Sequence, residues 1–137
     1  MSSSTINRRQ FLASAGAAVA LTALPTQAET QASLPSVIHT VFFWLKDPTS
    51  ESDKEQLIAG LKELAAIPQV KSLHVGVPAS TEDRDVIDSS YHVSEMMMFE
   101  SVEAQNQYQV HPLHVKFVEN YAHLWERVVV YDSVTAG

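Results

Sequence analysis

The 137-residue chain has no cysteine. That excludes disulfides and any lipid anchor attached to a cysteine side chain, so the fold must be stable through its core alone. Basic residues are also scarce, with nine Lys and Arg against sixteen Asp and Glu, a net charge of −7. Removing residues 1–28 takes away Arg8 and Arg9 and no acid, which moves the net charge to −9. So acidic a domain is a poor partner for nucleic acid or for an anionic lipid surface. No apolar run is long enough to span a bilayer permanently, and there are no repeats and no low-complexity tracts beyond the N-terminal region.

What is present begins with Arg8-Arg9-Gln10-Phe11-Leu12, a twin-arginine pair with two apolar residues behind it. A modest, alanine-rich run follows from Leu12 to Leu24, then Pro25 and the small-residue step Thr26-Gln27-Ala28. This is an export signal of the twin-arginine kind, over residues 1–28, with cleavage expected after Ala28; Thr30-Gln31-Ala32 offers a second site. The expected partner is the twin-arginine export machinery, the destination the periplasm or the outside of the cell, and no stable membrane anchor remains. Residues 29–35 read as a flexible leader and 36–134 as one domain.

Within that domain Val37–Leu45, VIHTVFFWL, is a strand whose two faces are both apolar. Helices can cover one face and a partner sheet the other. Ser52 with Glu55 marks a capping box for a helix carrying Leu57, Ile58, Leu61, Leu64 and Ala65 on one stripe, which stops before Pro68. Val70 to Val77 is a second strand, in which Gly76 points to a bulge or a close backbone approach. Residues 79–90 form a long acidic loop. Tyr91 to Phe99 is a third strand, Val102 to Gln109 a short helix, and a main helix follows Pro112 to about Glu126. Arg127 to Val134 closes the order β-α-β-β-α-α-β. The class is α+β, a ferredoxin-like sandwich with a four-stranded antiparallel sheet.

The chemistry gathers in Tyr108–Trp125, which holds His111, His114 and His123. Pro112 suits the first turn of a helix. Val115, Phe117, Val118, Tyr121, Leu124 and Trp125 then recur at helical spacing. His114 lies three residues before Phe117 and four before Val118, which sets an imidazole at the head of the buried stripe. His111 and His114 are close enough in sequence to share a metal, but Pro112 makes His111 a cap residue and no third ligand is near. No metal and no cofactor is assigned.

The segments VIHTVFFWLKD, IPQVKSLHVG, YHVSEMMMFESVE, YQVHPLHVKFV and LWERVVVYDS resemble the stress-response A/B barrel proteins over about residues 36–134. The resemblance implies a ferredoxin-like subunit whose sheet packs face to face on a second copy, giving a homodimeric α/β barrel. It also implies a pocket between sheet and helices, because a branch of plant polyketide cyclases in this family uses one. There a histidine at the H-P-x-H position is the general base and a tyrosine six residues earlier assists, which points to His114 and Tyr108. A histidine on the first strand lines that pocket, matched here by His39. Val93 stands where that branch has a further pocket histidine, and Lys116 where it has a small residue. Val93, Phe117 and Tyr121 complete the expected lining.

The resemblance thus implies an exported dimer that binds a small hydrophobic carbonyl or phenolic compound. Cofactor-free acid–base chemistry of a cyclase, isomerase or lyase type would run from His114. Family membership leaves open whether the chain is an enzyme. A stress protein acting through a stable oligomer, and a cofactor-independent monooxygenase, are the alternatives.

Overall fold

The computed structural model describes residues 23–24 and 33–137. The export signal, and residues 29–32 of the leader, lie outside the described residues apart from Ala23 and Leu24. The fold runs β1 (Val37–Leu45), α1 (Glu51–Glu63), β2 (Ser72–Gly76), β3 (Val93–Phe99), α2 (Val102–Val110), α3 (Pro112–Tyr121) and β4 (Trp125–Val134). Single 3₁₀ turns follow α1 at Leu64–Ala66 and α3 at Ala122–Leu124. The four strands make one antiparallel sheet in the order β2-β3-β1-β4, the ferredoxin-like arrangement expected from the sequence. Among the described residues, no helix is long and apolar enough to cross a membrane.

Strict alternation along β1 buries Val37, His39, Val41, Phe43 and Leu45 and leaves Ile38, Thr40, Phe42 and Trp44 half-buried on the other side. The register sets Val128, Val130 and Asp132 of β4 opposite Phe43, Val41 and His39. On the other flank Val93, Glu95 and Met97 of β3 face Phe43, Val41 and His39. Leu57, Leu61 and Leu64 of the first helical segment, with Ile67, cover this inner face and form the core with Phe99, Tyr108 and Leu124. Met97 is core filler, whereas Met96 and Met98 belong to the half-buried outer set.

Several boundaries differ from the sequence reading. The cap of α1 is Ser50, which accepts from the Asp53 N–H at 3.1 Å. Ser52 lies inside the first turn and accepts from Gln56 Nε2, so the Ser52–Glu55 capping box does not form. Both serines satisfy the same pattern, and the chain's exit from Asp47-Pro48 decides between them: Asp47 accepts from the Thr49 N–H and leaves Ser50 in extended conformation at the cap. The main helix ends at Tyr121 rather than near Glu126. Trp125 and Glu126 already belong to β4, where Trp125 pairs with Leu45 across an irregular step in the register. A strand start and a helix end both place Trp125 against the core, so burial alone did not separate them. Val115 is exposed, as is Ala65 in the 3₁₀ turn after α1. Gly76 does sit at a close approach, since a Cβ there would meet the His74 ring at 2.9 Å and Ser94 Oγ at 3.1 Å.

The acidic loop ends on the outer face of the sheet. Ser90 takes a hydrogen bond from Trp44 Nε1 at 3.1 Å and is itself held by Asp88. Asp88 and Tyr91 border a hollow there with Phe42, Trp44, Arg127 and Tyr131.

Candidate active site

Helices α2 and α3 are separated by a single residue, His111, and that break builds the site. Proline has no N–H to donate into a preceding helix, so α2 stops at Val110 and Pro112 starts α3. His111 caps α3 by accepting from the Leu113 N–H at 3.1 Å. The turn brings the His114 ring to 4.7 Å from the Tyr108 ring, centroid to centroid. Beneath them the inner face of the sheet carries His39 and Glu95. A cavity of about 150 Å³ opens between, lined by these four side chains together with Val41, Phe43, Phe117, Val118, Trp125, Val128 and Val130.

Of the residues expected from sequence, His114, Tyr108, His39 and Phe117 therefore come together. Val93 and Tyr121 do not line this cavity. Val93 is wholly buried in the core. Tyr121 shares the stripe of His114 but lies two turns on, about 10 Å along the axis. Its ring lies over Gly60 of α1, 2.6 Å from where a Cβ would stand. His92, one residue before Val93, accepts from the Leu45 N–H at 2.9 Å and does not line the cavity.

Hydrogen bonds fix the proton positions. His114 Nδ1 lies 3.0 Å from the Gln109 carbonyl oxygen, which can only accept. Nδ1 is therefore the protonated nitrogen, and Nε2 keeps its lone pair. Burial lowers the His114 pKa; the bond to Gln109 opposes this, and the neighbouring His39 adds to the lowering. His39 Nδ1 lies 2.5 Å from Asp132 Oδ1, and Gln105 Nε2 reaches the same oxygen at 3.0 Å. Asp132 collects both N–H groups, so the 2.9 Å approach of Gln105 Nε2 to His39 Nδ1 brings two donors to a shared acceptor. His39 Nε2 then faces Glu95 Oε1 at 4.0 Å, too far for a hydrogen bond.

Glu95, Gln105 and Asp132 were not foreseen. Glu95 is 2% exposed, and its Oε1 has no hydrogen-bond partner. Burial pushes its carboxyl up to about 8, so it is mostly protonated at neutral pH. Tyr108 is 1% exposed, and its phenol is raised, first by burial and then by the nearness of Glu95. Alternation held the signal: Glu95 lies between Val93 and Met97 on the inner face of β3, and Asp132 follows Val128 and Val130 on that of β4. The site thus gathers a neutral imidazole, a phenol and a neutral carboxylic acid around a mostly apolar space. Among the described residues, no group of three or more His, Cys, Asp or Glu side chains is arranged to hold a metal ion.

A fold of this topology carrying an H-P-x-H helix over a sheet-side cavity has clear relatives. Residues 37–135 match the Stress Responsive A/B Barrel Domain family, Dabb, and the chain belongs to that family. Residues 5–25 match the twin-arginine translocation signal sequence, which directs the protein to the periplasm or to secretion. Among characterised proteins, olivetolic acid cyclase of Cannabis sativa is 30% identical over 98 residues, covering 71% of this chain and 94% of that one. Hydroxynitrile lyase of Passiflora edulis is similar in structure, with a TM-score of 0.62 and 24% identity over 74% of this chain and 94% of that one. A dimeric ferredoxin-like protein of unknown function from Thermobifida fusca aligns with a TM-score of 0.59 and 22% identity over 75% of this chain and 93% of that one. The fold, the family and the export signal expected from the sequence are all found.

The raised carboxyl of Glu95 gives a pH signature. Its pKa in the fold lies above the ordinary 4.5. The stability linked to its protonation is therefore complete below that value and is lost as pH rises through about 8. Thermal melts between about pH 5 and about pH 9 should show the wild type losing more stability than Glu95→Gln, by at most a few kcal/mol since one pKa unit is about 1.4 kcal/mol. Parallel curves for the two proteins would place Glu95 in a solvated position.

Proposed function

We propose that this protein is exported as a homodimer, with its signal cleaved after Ala28, and that its cavity takes a small hydrophobic carbonyl or phenolic compound. There it performs acid–base chemistry of the cyclase, isomerase or lyase type with His114 as base and Tyr108 as partner. The observation that carries this reading is the pinned tautomer of His114. With Nδ1 committed to Gln109, the lone pair of Nε2 is left for a substrate proton, and burial keeps the ring neutral. The Tyr108 ring beside it can donate its O–H to a developing enolate or hold the substrate in place. The similarity to olivetolic acid cyclase supports chemistry of the cyclase type on a small organic ligand. A domain of 36–134 holds every residue this requires. His39 and Phe117 belong to the pocket wall, and the core position of Val93 and the α1 contact of Tyr121 remove those two from the proposal.

The dimer would form through the outer face of the sheet, where Ile38, Phe42, Trp44, Met96, Met98, Val129 and Tyr131 gather in register. Tyr131 is 64% exposed there in the single chain, and an apolar face of this kind calls for a cover.

Acetophenone tests the base. In D₂O the mature protein should speed exchange of its methyl hydrogens, followed by proton NMR, and His114→Ala should lower that rate by ~10²–10⁴-fold with little change in melting temperature. Exchange that survives in His114→Ala would remove His114 as the base. For the dimer, Phe42→Glu should convert the wild-type species to monomer in sedimentation velocity; a mutant that sediments as the wild type does would place the interface elsewhere.

A further inference from the structure

Glu95 is the one carboxyl side chain buried in the inner face, and neither the base nor the phenol accounts for it. Its Oε1 is without a partner although the atom is fully buried, and the side chain forms part of the cavity wall. Leaving a buried polar atom unpaired is costly, so such a group is retained where something else completes its bonding. The neighbouring wall does not do so. His39 commits its Nδ1 proton to Asp132, and its Nε2 stands 4.0 Å from Glu95, beyond hydrogen-bond reach. No Lys or Arg lines the cavity to pair with an ionised Glu95. The carboxyl is thus a neutral O–H donor in a largely apolar pocket whose other titratable members are His39, Tyr108 and His114.

We propose that Glu95 is the acid of this pocket, and that its O–H binds the neutral carbonyl oxygen of an enolisable ketone or aldehyde. This rests on the reading of His114 as base. In the step, the C–H bond next to the carbonyl breaks and its proton goes to His114 Nε2. The released electron pair forms the C=C bond, and the carbonyl π pair takes the proton from Glu95. The products are the enol, an imidazolium and a carboxylate, so charge and atoms balance with no other reactant. The two opposite charges lie in one cavity and stabilise each other. Return of the proton from His114 to carbon, with Glu95 recovering its own, regenerates the ketone and completes one round of hydrogen exchange. The same donor sets specificity. A substrate carboxylate beside Glu95, with no Lys or Arg in the lining, is disfavoured, and a neutral oxygen is selected.

The test uses the mature protein and acetophenone labelled with ¹³C at the carbonyl. Infrared spectra of the bound probe should show its C=O stretch below the value in hydrocarbon solvent, as a hydrogen bond requires. In Glu95→Leu the stretch should return toward the hydrocarbon value and methyl exchange should fall ~10²-fold or more, while Tyr108→Phe keeps most of the shift. An unchanged stretch in Glu95→Leu overturns the proposal, as does a shift lost in Tyr108→Phe alone. Failure of wild-type protein to bind acetophenone, or tighter binding of benzylamine, would also overturn it, the latter by making Glu95 an anion that takes an ammonium. His114→Ala separates the two readings: it should keep the infrared shift and lose exchange. A wild type that shows the shift without exchange sinks the base and the proton transfer while leaving the hydrogen bond in place.

Discussion

A missing backbone N–H organises this molecule. Pro112 cannot continue α2, and the extended backbone of the single residue His111 ends one helix and starts the next. Two helices in line would have laid one unbroken apolar stripe on the strands. The break instead leaves a gap at the junction, and the last turn of α2 supplies both Tyr108 and the Gln109 carbonyl that orients His114. The imidazole, its orienting group and the phenol therefore come from a segment of seven residues whose relative positions are set by two helix ends. This is local geometry, largely independent of the packing of α1.

The floor of the cavity depends on long-range pairing. His39, Glu95 and Asp132 are far apart in sequence and share the inner face through the register of β1 with both its neighbours. A slip of one residue in either strand would send the acid or its companion to the outer face. The hydrophobic residues on β1, β3 and β4 secure that register, and the polar groups at the cavity are carried along with it. Glu95 is a destabilising passenger at high pH, retained within an otherwise apolar sheet face.

Much of this was legible before the structure. Alternation and helical spacing marked β1, β3 and α3, and the H-P-x-H element pointed to His114 with Tyr108 as a pair. His39 stood out as a histidine among valines. What escaped notice depended on relations that a linear reading does not contain. Glu95 precedes three consecutive methionines, and a carboxyl on a strand is ordinarily solvated, so its burial follows only from the pairing of β3 with β1. Asp132 became a partner of His39 only through pairing across 93 residues. Tyr121 was misplaced because helical phase reports direction around an axis and says nothing of distance along it. The end of α3 was missed because Trp125 packs on Phe43 and Phe117 equally well from a strand.

The account stands on His114 presenting an unprotonated Nε2 to the cavity. Nitrogen-15 NMR of histidine-labelled mature protein, with long-range couplings from the ring carbon-bound protons, reports the state of both nitrogens directly. At neutral pH the account predicts a neutral ring protonated at Nδ1, with the Nε2 signal moving when acetophenone is added. A ring protonated at Nε2, or an imidazolium at that pH, would contradict it.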